Sequence, residues 1–171
     1  MQTECDIALV GSWVLDPRRT TITFETKAMW ILKVKGTLSA VEGHGSVAPD
    51  GSVTGSLTAD MRSVNTRIAK RDSHLRSIDF FDVEHNPTMT FTLLSARVFL
   101  PRAFLNGTLE IRSCIQRVEL DAAVTVSDDT LTMDVETQLD RRNWGISLAK
   151  GPGKASSMHS FIRAQATFTR I

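Results

Sequence analysis

From Trp13 to Phe168 the chain alternates apolar and polar residues with a period of two, segment after segment. That period matches a pleated strand with one buried face, and a helix cannot carry it. In Val53 to Arg62, the residues Val53, Gly55, Leu57, Ala59 and Met61 share one face, and Thr54, Ser56, Thr58, Asp60 and Arg62 share the other. The same phase groups Ile22, Phe24 and Thr26; Leu105, Gly107, Leu109 and Ile111; Val118, Leu120, Ala122, Val124 and Val126; Leu131, Met133, Val135 and Leu139; and Ile162, Ala164, Ala166 and Phe168. Met89, Phe91 and Leu93 stand in one phase and Leu94, Ala96 and Val98 in the other, a slip that predicts a β-bulge. Gly36, Gly43 and Gly45 predict bulges or sharp bends within Val34 to Val47. Short turns at Asp16-Pro17, Pro49-Asp50-Gly51 and Asp128-Asp129 join roughly eight such segments, the pattern of an antiparallel barrel or sandwich. Segments of about ten residues, longer than usual, favour the barrel.

One stretch breaks the alternation. Between Thr66 and Pro87, Ile68, Leu75 and Ile78 recur at helical spacing, which predicts a short helix starting after Thr66 and ending near Ser77. Its narrow apolar face would be buried while Arg67, Lys70, Arg71, Asp72 and His74 stay in water. The pair Phe80-Phe81 would fold back as a plug, and Asn86-Pro87 would launch the next strand.

Composition narrows the function classes. A chain of 171 residues reads as one domain over 1–171, with residues 1–10 a flexible lead-in. A formal charge of +1 argues against nucleic acid as a partner. No apolar run approaches the ~20 residues of a membrane span, so no stable membrane insertion is expected. The first eleven residues lack the features of a leader, so the chain as written reads as cytoplasmic, and as periplasmic or secreted if its N-terminus was trimmed. Cys5 and Cys114 read as two unpaired thiols.

The inner face leaves two readings open. Gly55, Ala59, Gly107, Ala122, Ala164 and Ala166 are small enough to leave a tunnel, yet Trp13, Phe24, Phe91 and Phe168 could fill the gaps from across the wall. Chemistry-bearing motifs are few. His44, His74, His85 and His159 lack metal-site spacing, and no nucleophile elbow exists, so neither a metal nor a catalytic residue is expected. Gly151-Pro152-Gly153-Lys154-Ala155 lacks the remaining residues of a phosphate loop and reads as a mobile loop or lid. Arg67, Lys70, Arg71 and Arg76, with Arg141, Arg142, Lys150 and Lys154, form either a solvated surface or a polar collar at the barrel mouth.

The residues Thr66, Arg71-Asp72, His74-Leu75, Ser77, Asp79-Phe80, Pro87 and Phe91 resemble the central motif of the YceI-like family, proteins similar to a bacterial polyisoprenoid-binding protein. Trp13 with Asp16-Pro17, Lys27, Gly36, Asn106-Gly107-Thr108-Leu109, and Arg142 with Gly145 extend the match over nearly the whole chain. Ala28, Leu38 and Asn143-Trp144 depart from it. The resemblance implies an all-β, extended, eight-stranded lipocalin-like barrel with a short helical insertion, holding a long isoprenoid chain and no other cofactor. It implies binding, sequestration or transport of that lipid, a prenyl diphosphate or an isoprenoid quinone, rather than catalysis. The expected ligand contacts are Phe24, Leu57, Ala59, Phe80, Phe91, Leu109, Trp144, Ala164 and Phe168, with Arg71, His74, Arg76 and Arg142 for the polar end. The alternative is an enzyme on such a lipid, using His74 with Asp72 or Asp79; a filled barrel serving as an interaction protein is a third reading. Homodimerisation is left open.

Overall fold

The structure is a computed structural model that describes residues 7–28, 32–146 and 159–171. Its strands are β1 (Gly11–Leu15), β2 (Thr21–Ala28), β3 (Leu32–Val47), β4 (Val53–Asn65), β5 (Thr88–Phe99), β6 (Arg102–Ile111), β7 (Cys114–Ser127), β8 (Thr130–Asp140) and β9 (His159–Arg170), with helix α1 (Ala69–Arg76) between β4 and β5. All pairings are antiparallel, and the ring runs β2-β9-β8-β7-β6-β5-β4-β3 and back to β2. The barrel therefore has the eight staves expected from the alternation. The ninth strand exists because one stave is split: β1 and β2 both lie between β3 and β9, end to end. A single 3-10 turn at Pro17–Arg19 separates them, with the Asp16 carboxylate accepting from the Arg18 backbone N–H and the Thr20 hydroxyl donating to the Asp16 carbonyl.

Alternation in sequence becomes alternation in burial. Along β6, Ala103, Leu105, Gly107, Leu109 and Ile111 are buried while Arg102, Phe104, Asn106 and Glu110 are exposed. The phase slip in β5 is a register shift between Leu93 and Ser95. Strand β3 also carries irregularities, but at Thr37/Ser39 and Ala40/Glu42 rather than at Gly43 or Gly45, which pair regularly with Leu57 and Gly55. Gly43 relieves crowding instead; a Cβ there would stand 3.0 Å from the Leu15 Cβ. The Asp128-Asp129 hairpin turn forms as expected, and Arg112-Ser113 makes a second two-residue turn with both residues at positive φ.

The helical insertion docks through Leu75, which packs against the core as expected, and, against expectation, through polar residues. Helix α1 starts at Ala69 with Ile68 at its N-cap and no side-chain cap. Thr66 does not cap it; its hydroxyl and its backbone N–H both donate to Asp72 Oδ1, at 2.5 and 2.8 Å. Asp72 is buried, whereas Ile68 and Ile78 are exposed. The cause lies in β4, whose last residues run beyond their partner strand β5 and leave backbone carbonyls without ladder donors. Arg76 donates to the carbonyls of Arg62 and Val64, and Arg71 donates to the Thr66 carbonyl and hydroxyl. Phe80 is buried and Phe81 packs beside the core, so the plug forms, and Arg112 pins it by donating to the carbonyls of Phe80 and Ile78. Among the described residues no helix is long and apolar enough to cross a membrane.

Burial pushes the Asp72 carboxyl up, but the hydrogen bonds from the Thr66 side chain and backbone, with Arg76 and Arg71 nearby, outweigh it and hold the group below the usual range. The stabilisation is thus complete above the ordinary carboxylate pKa and is lost as pH falls through the lowered folded-state value. Replacing Thr66→Val should cost about 1–3 kcal/mol in urea unfolding at neutral pH, and the difference from wild type should shrink on acidification. A gap that stays constant into acid would contradict the role given to Asp72.

Candidate functional site

Inside the barrel lies an apolar cavity of about 220 Å³. Its walls follow directly from cross-strand register. Trp13, Gly45, Gly55, Leu93, Gly107 and Val118 are successive neighbours across β1, β3, β4, β5, β6 and β7, all on the inner face. Three glycines in this row thin the wall, and the structure treats them differently. A Cβ on Gly107 would fall 2.5 Å from the Phe91 ring, so Phe91 already fills that space; likewise a Cβ on Gly36 would fall 2.4 Å from the Phe24 ring. Gly55 is backed by the His44 carbonyl at 2.9 Å. Only the Thr54 carbonyl, at 3.8 Å, comes within reach of a Cβ on Gly45, so the missing side chain there contributes open volume. Large-small pairing therefore fills part of the wall and leaves a cavity in the rest.

The cavity exceeds the ~150 Å³ of an apolar void that binds benzene, and falls short of the ~300–1,000 Å³ of common ligand pockets. Met89 and Met133 are among its walls. Unbranched and flexible, they are the side chains best able to shift when a longer guest enters. No Asp, Glu, Lys or Arg is among the described residues lining it. A guest there would meet a predominantly apolar wall, with His44, Ser46, Thr54, Ser56 and Thr137 as its polar residues, and a buried charge would lack a charged partner.

Of the residues singled out from sequence, Leu57, Phe91, Leu109, Ala164 and Phe168 line this cavity. The others stand elsewhere. Phe24 lies under Gly36 beside Thr66, and Ala59 is fully buried opposite Ala40 and Met89. Phe80 and Trp144 belong to the packed end of the barrel, where the Trp144 indole N–H donates to the Leu109 carbonyl at 2.9 Å. Arg71 and Arg76 are engaged with backbone carbonyls. Arg142 grips Asp140 at 2.6 Å on the surface, and the hydrogen bond from Arg142 pulls that carboxyl down to about 2. His74 is exposed, 3.5 Å from Asp79 and edge-on to the Phe80 ring. Of the polar collar drawn from sequence, Arg71, Arg76 and Arg142 are thus engaged within the protein. Lys150, Lys154, the Gly151–Ala155 loop, Cys5 and part of the Ala28–Leu32 turn lie outside the described residues. Cys114 is a free thiol, with Sγ 3.4 Å from the Asn143 carbonyl. Among the described residues no group of three His, Cys, Asp or Glu could hold a metal ion.

Sequence reasoning missed Leu9 and the importance of Gly45. Residues 7–10, expected to be part of a loose lead-in, are tied down: Leu9 is 4% exposed, its carbonyl accepts from the Trp13 indole, and Arg170 donates to the carbonyls of Ala8 and Val10. No local pattern announces this, because every donor comes from β1 or β9. For Gly45, the in-phase position between Gly43 and Val47 was a legible signal.

Residues 13–168 match the YceI-like domain. A UPF0312 protein of Staphylococcus epidermidis is 36% identical over 78 residues, 44% of this chain and 46% of that one. A UPF0312 protein of Pseudomonas aeruginosa is 29% identical over 102 residues, 56% of this chain and 53% of that one, so the chain spans about half the length of the curated relatives it matches. Among solved structures, BcnA of Burkholderia cenocepacia superposes with a TM-score of 0.76 at 17% identity, covering 90% of this chain and 98% of that one. A polyisoprenoid binding domain from Saccharophagus degradans, implicated in plant cell wall breakdown, gives 0.73 at 14% identity over 93% and 98%. The Campylobacter jejuni YCEI protein gives 0.68 at 23% identity over 85% and 90%. At these identities the structural likeness establishes the barrel fold alone.

The unequal glycines are open to direct test. Gly107→Ala should destabilise by about 1–3 kcal/mol through overpacking against Phe91. Gly45→Ala should be neutral or gain about 0.4–1 kcal/mol, because its backbone tolerates Ala and only the unfolded chain is restricted. Equal losses in urea melts of the two variants would contradict the open wall at Gly45.

Proposed function

The chain belongs to the YceI-like domain family, and on that premise we propose that it binds and carries a polyisoprenoid lipid, sheltering the hydrocarbon inside the barrel without altering it. The observation that carries this reading is the cavity wall without a charged side chain. A hydrocarbon gains about 0.8 kcal/mol for each CH₂ removed from water, so ten buried carbons supply roughly 8 kcal/mol before ordering costs. That sum corresponds to micromolar affinity at best, which makes a long, flexible chain the natural guest. The described neighbour that binds polyisoprenoids supports the ligand class.

A carrier is favoured over an enzyme by where the acid-base groups stand. The His74–Asp79 pair is on the exposed insertion and does not border the cavity. His44 and Ser56 touch at 3.3 Å and border the cavity at the β3–β4 side, but no carboxylate is among the described lining residues to orient that imidazole as a base. The His74–Asp79 pair stands away from an enclosed guest, and the His44–Ser56 pair lacks the third group of a catalytic triad among the described lining residues.

Protein purified without detergent, extracted with organic solvent and analysed by mass spectrometry should yield a long-chain isoprenoid. The reading fails if the extract is empty and the lipid-free protein also takes up no farnesol or longer isoprenoid in a binding titration.

A further inference from the structure

The two ends of the barrel differ. At one end lie the helical insertion and the β6–β7 turn, and there Val64, Phe80, Val83, Ile111, Trp144 and Ile146 are all buried and none borders the cavity. Among the described residues that end is packed shut. At the other end are the β3–β4, β5–β6 and β7–β8 hairpins, and the cavity reaches their rims: Val53 opens β4, Val98 nearly closes β5 and Leu131 nearly opens β8. Leu9 is in contact with this end of the cavity from the N-terminal side.

Beside Leu9 is a surface notch bordered by Ala8, Leu100, Pro101, Thr125, Val126, Asp128 and Arg170. Val124 borders the notch and the cavity alike, so the two spaces meet at that residue of β7. We infer that the amphiphile enters and leaves here, past Leu9, and that its polar end is an uncharged hydroxyl or carbonyl group resting in the notch beside Arg170 and Asp128. This rests on the lipid-carrier reading and adds to it the door and the head-group class.

The segment over the cavity is held by few and separable ties. Arg170 Nη1 donates to the Val10 carbonyl at 2.6 Å and Nη2 to the Ala8 carbonyl at 2.7 Å, while Trp13 Nε1 donates to the Leu9 carbonyl at 2.9 Å. The guanidinium lies 4.3 Å from the centre of the Trp13 ring, so one stacked pair of side chains grips three successive carbonyls. No strand pairing involves Ile7 to Val10. Elements held this way open at lower cost than ladder-paired strands.

Charge decides the head group. Asp129 lies 3.6 Å from Arg170 Nε, and Asp128 borders the same notch, so two carboxylates and one guanidinium stand at this rim. A diphosphate would meet net negative charge, with the insertion's arginines at the opposite end. A neutral oxygen would not be repelled, and Arg170 has five N–H donors of which the two carbonyls use two.

The test uses the whole protein and a farnesol analogue with a diazirine beside its hydroxyl. Irradiation and peptide mapping should label residues within 7–10, 100–101 and 124–128. Label within 66–87 or 141–146 instead would overturn the location. No label anywhere, together with no displacement of N-phenyl-1-naphthylamine by farnesol, would overturn lipid binding itself and this inference with it. Farnesol should displace that dye at a concentration at least about tenfold lower than farnesyl diphosphate, a gap of about 1.4 kcal/mol; parity or the reverse order would overturn the uncharged head. Leu9→Ala should speed both uptake and release several-fold when measured well below the melting temperature of the variant, and unchanged rates would count against the door.

Discussion

Closure of the sheet rests on β3, the sixteen-residue strand that holds β1 and β2 along one side and β4 along the other. Strip either row of pairs and the ring opens, exposing bare N–H and C=O groups along two edges. The strand keeps both partners because its inward positions are small where neighbours are large: Gly36 beneath the Phe24 ring, Gly43 beneath Leu15. Small residues in this chain serve first to let the wall close. At Gly45 the same economy of volume leaves room inside.

Once the wall is closed, the interior is uncharged and the cations must find partners elsewhere. They do so in two ways. Arg62, Arg142 and Arg163 pair with Asp60, Asp140 and Asp134 on the outer surface. Arg71, Arg76, Arg112 and Arg170 instead donate to main-chain carbonyls that no ladder satisfies, at the end of β4, in the insertion and in the segment before β1. The forked guanidinium suits this work, since it can serve two carbonyls at once.

This division explains what the sequence could and could not tell. Period-two alternation carried the strands, the hairpin turns and the β5 bulge, because a pleated strand translates side-chain phase directly into facing. Five of the expected contacts, Leu57, Phe91, Leu109, Ala164 and Phe168, stand on the cavity wall for the same reason. The arginines and Asp72 were harder. A charge on a short helix looks wet in sequence, and only the overhang of β4 beyond β5, a fact of tertiary register, turns Asp72 into a buried acceptor and Arg71 into a fastening. Leu9 was invisible because its burial depends on Trp13 and on Arg170 from the far end of the chain.

The split stave has a mechanical consequence. Strand β2 is stitched to β3 by seven residue pairs and to β9 by six, whereas β1 is stitched by four and three. Because the Pro17–Arg19 turn interrupts the stave, loosening β1 need not unzip β2. The tube can thus slacken at one rim while the opposite half keeps its girth, much as a purse loosens at the drawstring without splitting its seam.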